Sequence, residues 1–591
     1  MRDVIVIGAG GGGPVVAKEL AARGLDVLLL EGGSAHDKPR EQWTHFEDDA
    51  FNPATGFLRI GPGNRDRPPW SREQPQNSYI WQASGVGGTT LHYYGNSPRA
   101  FPGAFAGYDG ADRAAYDTQY SFPFGYEELI PYYEWVEATL PVQTAAMGTK
   151  ERVFFDGCES LGLPVQTRKD ATGAAFRPQE NAILQPGGTA GRTDDRERLR
   201  HPEAFGCTFC GYCAQGCMNP VDAPRNLFAK RSTDNSYVPM AVTADAWAPG
   251  GKRATLVTDA YVTQIHTESR GGETVATGVT YRVNDDRDVR REDAKVVVLA
   301  AGCIDSPRLW LNSGLPNPND WVGRGLTDHY LDWVVGLFDD DTGATRGAAS
   351  SARADFPGYG GLEQVGLPPA LQAFSMSFSG SGIRGIYDLG RSTRGAWDGP
   401  SGRLGGPELL DAMKNGADRL LSILVLTGDD VEPDNRVSLS QLFPVDEHGR
   451  AARVELDFTR RTAKTVARRN FLANRAAEIL RGAGAKKVYR IDWAPLILHT
   501  QSSMRMGADP ATSVLDETGE ARAVKGLYIA DNSALANSLG GPNPTLTAQA
   551  LATRTSENIF EKHFDGEPWV TSESPVVSTD ARVTDGLLAP A

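Results

Sequence analysis

The amino-terminal 34 residues restrict the fold more than any other stretch of the chain. A fully apolar run, Val4-Ile5-Val6-Ile7, leads into Gly8-Ala9-Gly10-Gly11-Gly12-Gly13, a helical pattern from Pro14 to Arg23, and a second apolar run, Val27 to Leu30, that ends on Glu31. Short apolar runs with no polar alternation suit strands buried on both faces, and a glycine-rich turn between such a strand and a helix is the signature of a dinucleotide-binding βαβ unit. The glycines differ in what they allow. Gly8 permits the turn, Gly10 lets backbone amides approach a pyrophosphate, and Gly13 allows the helix to pack closely. Glu31, at the end of the second strand, suits a pair of ribose hydroxyls. The expected fold class is therefore α/β, with a Rossmann-like domain at its amino end.

With 591 residues, of which 66 are glycine, the chain has room for that domain and at least one other. Its formal net charge of −14 repels phosphate backbones, so nucleic acid is not expected as a partner. Mean hydropathy is −0.36 and no apolar run approaches 18 residues, which predicts no direct membrane insertion; the start at Met1-Arg2-Asp3 leaves no room for a signal peptide, and a cytoplasmic location is expected.

Residues 1–345 read as the nucleotide domain, with an irregular polar excursion over 35–80 and a cysteine-rich loop over 205–232. A second glycine turn, Gly85-Val86-Gly87-Gly88, promises another backbone approach to the same ligand. Strands are expected at 254–265, 275–283 and 296–300. Residues 346–490, with a Gly/Ser-rich stretch at 378–404 and an amphipathic helix from Arg460 to Ala483, read as a mixed-sheet substrate cap; 491–565 complete the nucleotide domain, and 566–591 read as a loosely held tail. In that closing segment Asn543 suits an N-cap and Pro544 the first helical position, so a helix N-terminus is expected to direct free amides and partial positive charge at an anionic group of the ligand.

Cys207, Cys210, Cys213 and Cys217 stand at the spacing of a bacterial ferredoxin run, except that Met218-Asn219 precede the proline at 220. Four thiolates so close can wrap a metal. The spacing favours an iron–sulfur cluster, with disulfides, free thiols and zinc as the alternatives.

Four separated stretches together resemble the glucose-methanol-choline (GMC) oxidoreductases, and the sugar-oxidising branch above all. They are the Gly8-to-Glu31 unit; Gly87-Gly88 with His92; Val298 to Gly302 with Ser306-Pro307-Arg308; and His499 with Arg505-Met506-Gly507, followed by Asn543-Pro544-Thr545. The resemblance implies FAD, oxidation of an alcohol CH–OH to a carbonyl, and a substrate domain laid over the flavin. It makes His499 the catalytic base and Asn543 its partner, and extends the cofactor contacts to Asn96, Val262, Ala301, Asp531, Pro544 and Thr545. His92 takes the position at which some relatives attach FAD covalently; a packing role is the alternative. His329, in Gly325-Leu326-Thr327-Asp328-His329, reads as structural.

Histidine suits removal of a hydroxyl proton because its ordinary pKa lies near neutrality. The implied partners are a sugar or polyol substrate and an electron acceptor, which is dioxygen, a quinone or a redox protein. A hydrophobic alcohol or sterol is the alternative substrate, and a non-catalytic FAD-bearing electron carrier the alternative function.

Overall fold

The computed structural model describes residues 1–35, 72–75, 79–185, 206–215, 217, 225–283, 289–368, 372–373, 375–376, 395–398, 404–456, 461–491 and 496–588. Most of the 35–80 excursion, with Trp70, His36 and His45, and most of the Gly/Ser-rich stretch lie outside these residues.

Two sheets organise the chain. In the first, Arg2–Ile7 lies between Val27–Leu30 and the carboxyl half of Val289–Leu299, with Thr255–Val257 and Leu527–Ile529 outside them, all parallel. The strand Val289–Leu299 has two characters. Its polar amino half pairs antiparallel with Glu273–Val283, which in turn pairs with Ala260–Arg270, whereas its apolar end, Val296 to Leu299, is wholly buried in the parallel core. A change from polar alternation to an unbroken apolar run within one strand thus marks where helices begin to cover both faces.

Helix α1 (Gly13–Ala22) follows the first turn, and α2 (Gly302–Asn312) follows Leu299. The close helix packing depends on glycine: a Cβ on Gly13 would stand 2.0 Å from the Gly8 carbonyl oxygen, and one on Gly12 would stand 1.8 Å from that of Ala530. Neither side has room to yield.

The second sheet is antiparallel throughout, in the order 487–490, 332–337, 420–427, 360–365, 352–356, 175–178. It therefore draws strands from positions 175–178 and 332–337 as well as from 346–490, so the chain crosses between the layers several times. Helix α3 (Ala463–Gly482) covers it, burying Leu472, Ala476 and Leu480 against Val334 and Leu362. The Thr462 hydroxyl caps it by accepting from the Thr465 amide.

Two expectations fail near the carboxyl end. Helix α4 spans Thr545–Phe564, so Pro544 occupies the N-cap position, no side chain caps the helix, and Asn543 is not its cap. Asn543 instead turns its amide to buried groups described below. The expected loose tail is docked: Trp569 is 1% exposed, the Glu557 carboxylate accepts from the Trp569 and Val570 amides, and Arg231 donates to the Ser578 hydroxyl. Helix α5 (Ala581–Leu588) then packs Val583 into the main core. Sparse hydrophobicity hid this, because a few large anchors suffice to hold a polar segment.

Candidate active site

One long cavity joins the two layers. Its wall includes Gly8, Gly10, Glu31, Gly88, His92, Asn96, Val262, Ala301, Asp531, Pro544 and Thr545 of the expected cofactor set, together with His499 and Asn543. Gly13 and Gly87 stand behind the wall: Gly13 supports the helix, and Gly87, at φ +104°, packs on Leu91 and donates its amide to the Ala9 carbonyl.

At the amino end the two glycine turns meet. A Cβ on Gly88 (φ +49°) would come within 2.7 Å of the Gly10 Cα, so the approach depends on glycine at position 88. The Glu31 carboxylate ties the loops together, accepting from the amides of Ala9 and Gly33 (both 2.8 Å) and Gly85 (3.1 Å). Burial raises its pKa against the pull of these donors. No side chain caps α1, which leaves its first amides and partial positive charge to an anion in the cavity.

Deeper in, Asp531 accepts from the Ser306 hydroxyl (2.6 Å) and the amides of Gly302 and Ser533, locking the end of the strand 527–529 to the start of α2. His92 stacks on Trp81 with centroids 5.2 Å apart, and burial takes its pKa down to about 3, so the ring is neutral. Cys303 is buried and donates its thiol to the Thr500 carbonyl, the behaviour of a packed side chain.

The end of the cavity that holds His499 is fixed by an antiparallel bridge in which Thr327 and Gln501 exchange backbone hydrogen bonds. This bridge brings Asp328 and His329 against His499. The Asp328 carboxylate accepts from the His499 amide at 2.7 Å, and the two imidazoles meet at 2.9 Å between their Nδ1 atoms. The reading of His329 as structural is therefore incomplete, since its ring touches the catalytic candidate. Burial pushes the pKa of His499 well below its ordinary value and takes that of His329 down to about 4.

Asn543 is equally constrained. Arg353 Nη1 donates to its Oδ1 at 3.5 Å, and its amide donates to the Glu363 carboxylate. Glu363 also accepts from Asn96 Nδ2 at 2.8 Å, and burial raises its pKa to about 7. Sequence reading missed Arg353 and Glu363. Their signal is charge inside short strands that also carry Asp355 and Gln364: Arg353 and Glu363 are direct cross-strand partners, and both strands are wholly buried.

The four cysteines line a separate small cavity with Lys230 and stand as thiols outside any disulfide: Cys207 and Cys213 buried, Cys217 half-buried, Cys210 exposed. Lys230, fully buried, donates to the carbonyls of Cys213, Leu91 and Tyr93, and so joins this loop to the His92 turn. Among the described residues no three cysteine sulfurs lie within 4.8 Å of one another.

Comparison with known proteins decides the family. Models of the GMC oxidoreductase family match residues 175–331 and 432–552. This chain is a GMC oxidoreductase. It is similar to paromamine 6'-oxidase of Streptomyces fradiae (26% identity, covering 94% of this chain and 91% of the relative). It is similar too to 2-methyl-1,2-propanediol dehydrogenase of Mycolicibacterium austroafricanum (27%, 95% and 96%) and the fructose dehydrogenase large subunit of Gluconobacter japonicus (23%, 94% and 97%). The solved pyridoxine 4-oxidase from Mesorbium loti shares the fold at a TM-score of 0.59, with 16% identity over 95% of this chain and 100% of that one. GMC oxidoreductases bind FAD. The glycine cradle, the uncapped α1 and the uncapped α4 of this oxidoreductase fit a nucleotide at one end of the cavity and an electron-rich ring at the other. Among its described residues no helix is long and apolar enough to cross a membrane.

Proposed function

We propose that this oxidoreductase oxidises a CH–OH group of a sugar, glycoside or cyclitol to a carbonyl, with His499 as the base and Asn543 as the group that holds the reacting oxygen. The observation that carries this reading is the placement of both side chains on the wall of the same cavity that continues to the Gly10–Gly88 cradle. Bound FAD supplies the hydride acceptor. The protein's part is to take the hydroxyl proton on His499 and to orient the oxygen through Asn543. Neutral His499 has a lone pair for that proton, and the Asn543 amide, its oxygen facing Arg353, offers N–H rather than C=O.

Polar Asn96, Tyr94 and Glu363 on this wall support a substrate with several hydroxyls, as do the relatives named for paromamine and fructose. Trp333, Leu367 and Leu424 line the cavity as well and favour, as a second reading, a small hydrophobic alcohol. The electron acceptor is dioxygen, a quinone or a redox protein.

The test is His499→Ala, assayed by anaerobic stopped-flow reduction of the bound flavin by alcohol substrates. Loss of a general base costs about 10²–10⁴-fold, roughly 3 to 5 kcal/mol. A variant that retains FAD and reduces it at the parent rate refutes the assignment.

The four-cysteine loop is proposed to hold an iron–sulfur cluster, in a cytoplasmic, thiol-preserving setting. Three features support it: the spacing, the cavity that the four side chains share, and Lys230, a buried cation that hydrogen-bonds only carbonyl oxygens among the described residues and so suits an anionic neighbour.

A further inference from the structure

We infer that His329 is a positioning residue that fixes His499 in the tautomer whose Nε2 lone pair faces the substrate. The inference rests on the reading of His499 as base and goes beyond it, because nothing in the family comparison gives His329 a role.

Counting protons fixes the tautomers. The Ser538 carbonyl oxygen, 3.0 Å from His329 Nε2, can only accept, so that nitrogen carries hydrogen. Gln501 Nε2, at 3.3 Å from the same nitrogen, is the more distant and donates to the His499 carbonyl at 3.0 Å. His329 is neutral, since the site is fully buried and Arg353 adds positive potential; it then has a bare Nδ1. A bare Nδ1 facing another Nδ1 at 2.9 Å requires hydrogen on the second, so His499 carries its proton on Nδ1. The lone pair of His499 is left on Nε2, and the ring lines the cavity.

The backbone fixes the same geometry. Asp328 holds the His499 amide, and the Thr327–Gln501 bridge sets the spacing of the two segments. When His499 Nε2 takes the substrate's hydroxyl proton, Nδ1–H goes on donating to His329, so the hydrogen bond survives the change of charge. Without His329 the ring would sample both tautomers and rotate, and the tautomer protonated on Nε2 has no lone pair to offer.

The test uses the full-length FAD-loaded protein and three variants in anaerobic stopped flow, in which the saturation curve separates substrate affinity from the limiting rate of flavin reduction. His329→Phe fills the space and removes the acceptor. His329→Asn places an amide oxygen near the lost Nδ1 and restores it. His499→Ala tests the base reading separately. The expected result is retained FAD, apparent substrate Kd within about twofold of the parent, a limiting rate lowered about 10- to 100-fold in His329→Phe, and recovery of most of that loss in His329→Asn.

Parent-like reduction by His329→Phe overturns the inference, and so does an equal loss in both His329 variants, which would mark a packing role. If His329→Phe does not fold, His329→Gln replaces it, keeping a donor for Ser538 but no acceptor for His499, with the same two outcomes. A fast His499→Ala would instead overturn the base itself, whatever the His329 variants do.

Discussion

Gly10→Ala and Gly88→Ala separate the nucleotide cradle from the stability of the fold. A Cβ on Gly10 would meet nothing nearer than the Gly88 Cα at 4.0 Å, an ordinary contact, and Gly10 lines the cavity. The apoprotein should therefore tolerate Gly10→Ala with a change within about 0.5 kcal/mol. Its methyl group occupies space that the pyrophosphate needs, and displacing the ligand from one charge-assisted amide contact loses about 1.5–3 kcal/mol, roughly 10- to 100-fold in FAD affinity.

Gly88→Ala behaves differently. Its φ of +49° costs a side chain about 1–2 kcal/mol, and its Cβ, 2.7 Å from the Gly10 Cα, forces two backbones apart. It should lower apoprotein stability as well as FAD affinity. The assay pairs denaturant unfolding of the apoprotein with FAD titration followed by quenching of flavin fluorescence. Parental FAD affinity in Gly10→Ala would refute the placement of the nucleotide against the first turn.

Asn543→Ala should slow flavin reduction less than His499→Ala and lower stability by about 1–3 kcal/mol, not through a lost cap, since α4 has none, but because the buried Arg353 and Glu363 each lose a hydrogen-bond partner; a variant as stable as the parent in urea unfolding contradicts the geometry. Anaerobically prepared protein should contain iron and acid-labile sulfide, both lost in Cys213→Ser, and stoichiometric zinc or absence of iron would exclude the cluster. Glu363 has a folded-state pKa raised to about 7 from 4.5, so the folded protein binds the extra proton between those values and the stability this provides is lost as pH rises through 7. Glu363→Gln cannot lose that proton, so urea unfolding from pH 5 to 8 should show the variant gaining on the parent by up to about 3 kcal/mol; a gap that does not vary with pH would refute the shift.

The parts of this protein that depend on local chain chemistry were legible in its sequence. The Gly8-to-Glu31 unit is one, since turn, helix and strands are adjacent in the chain and each residue type answers a local backbone demand. The family resemblance at His499 and Asn543 is another, and the structure sets both on one cavity wall. Local rules misplaced the start of α4 by one residue, because a side chain that suits an N-cap was drawn instead to a buried Arg353–Glu363 pair from another layer. They also missed the docking of residues 566–588, where Trp569 and Val583 find their hydrophobic contacts far away in the chain. The orientation of His499 and Asn543 was out of reach for the same reason. A histidine's tautomer and an asparagine's amide direction are set by partners 170 and 190 positions distant, His329 for His499 and Arg353 for Asn543, and only the packed tertiary structure brings those partners within hydrogen-bond reach.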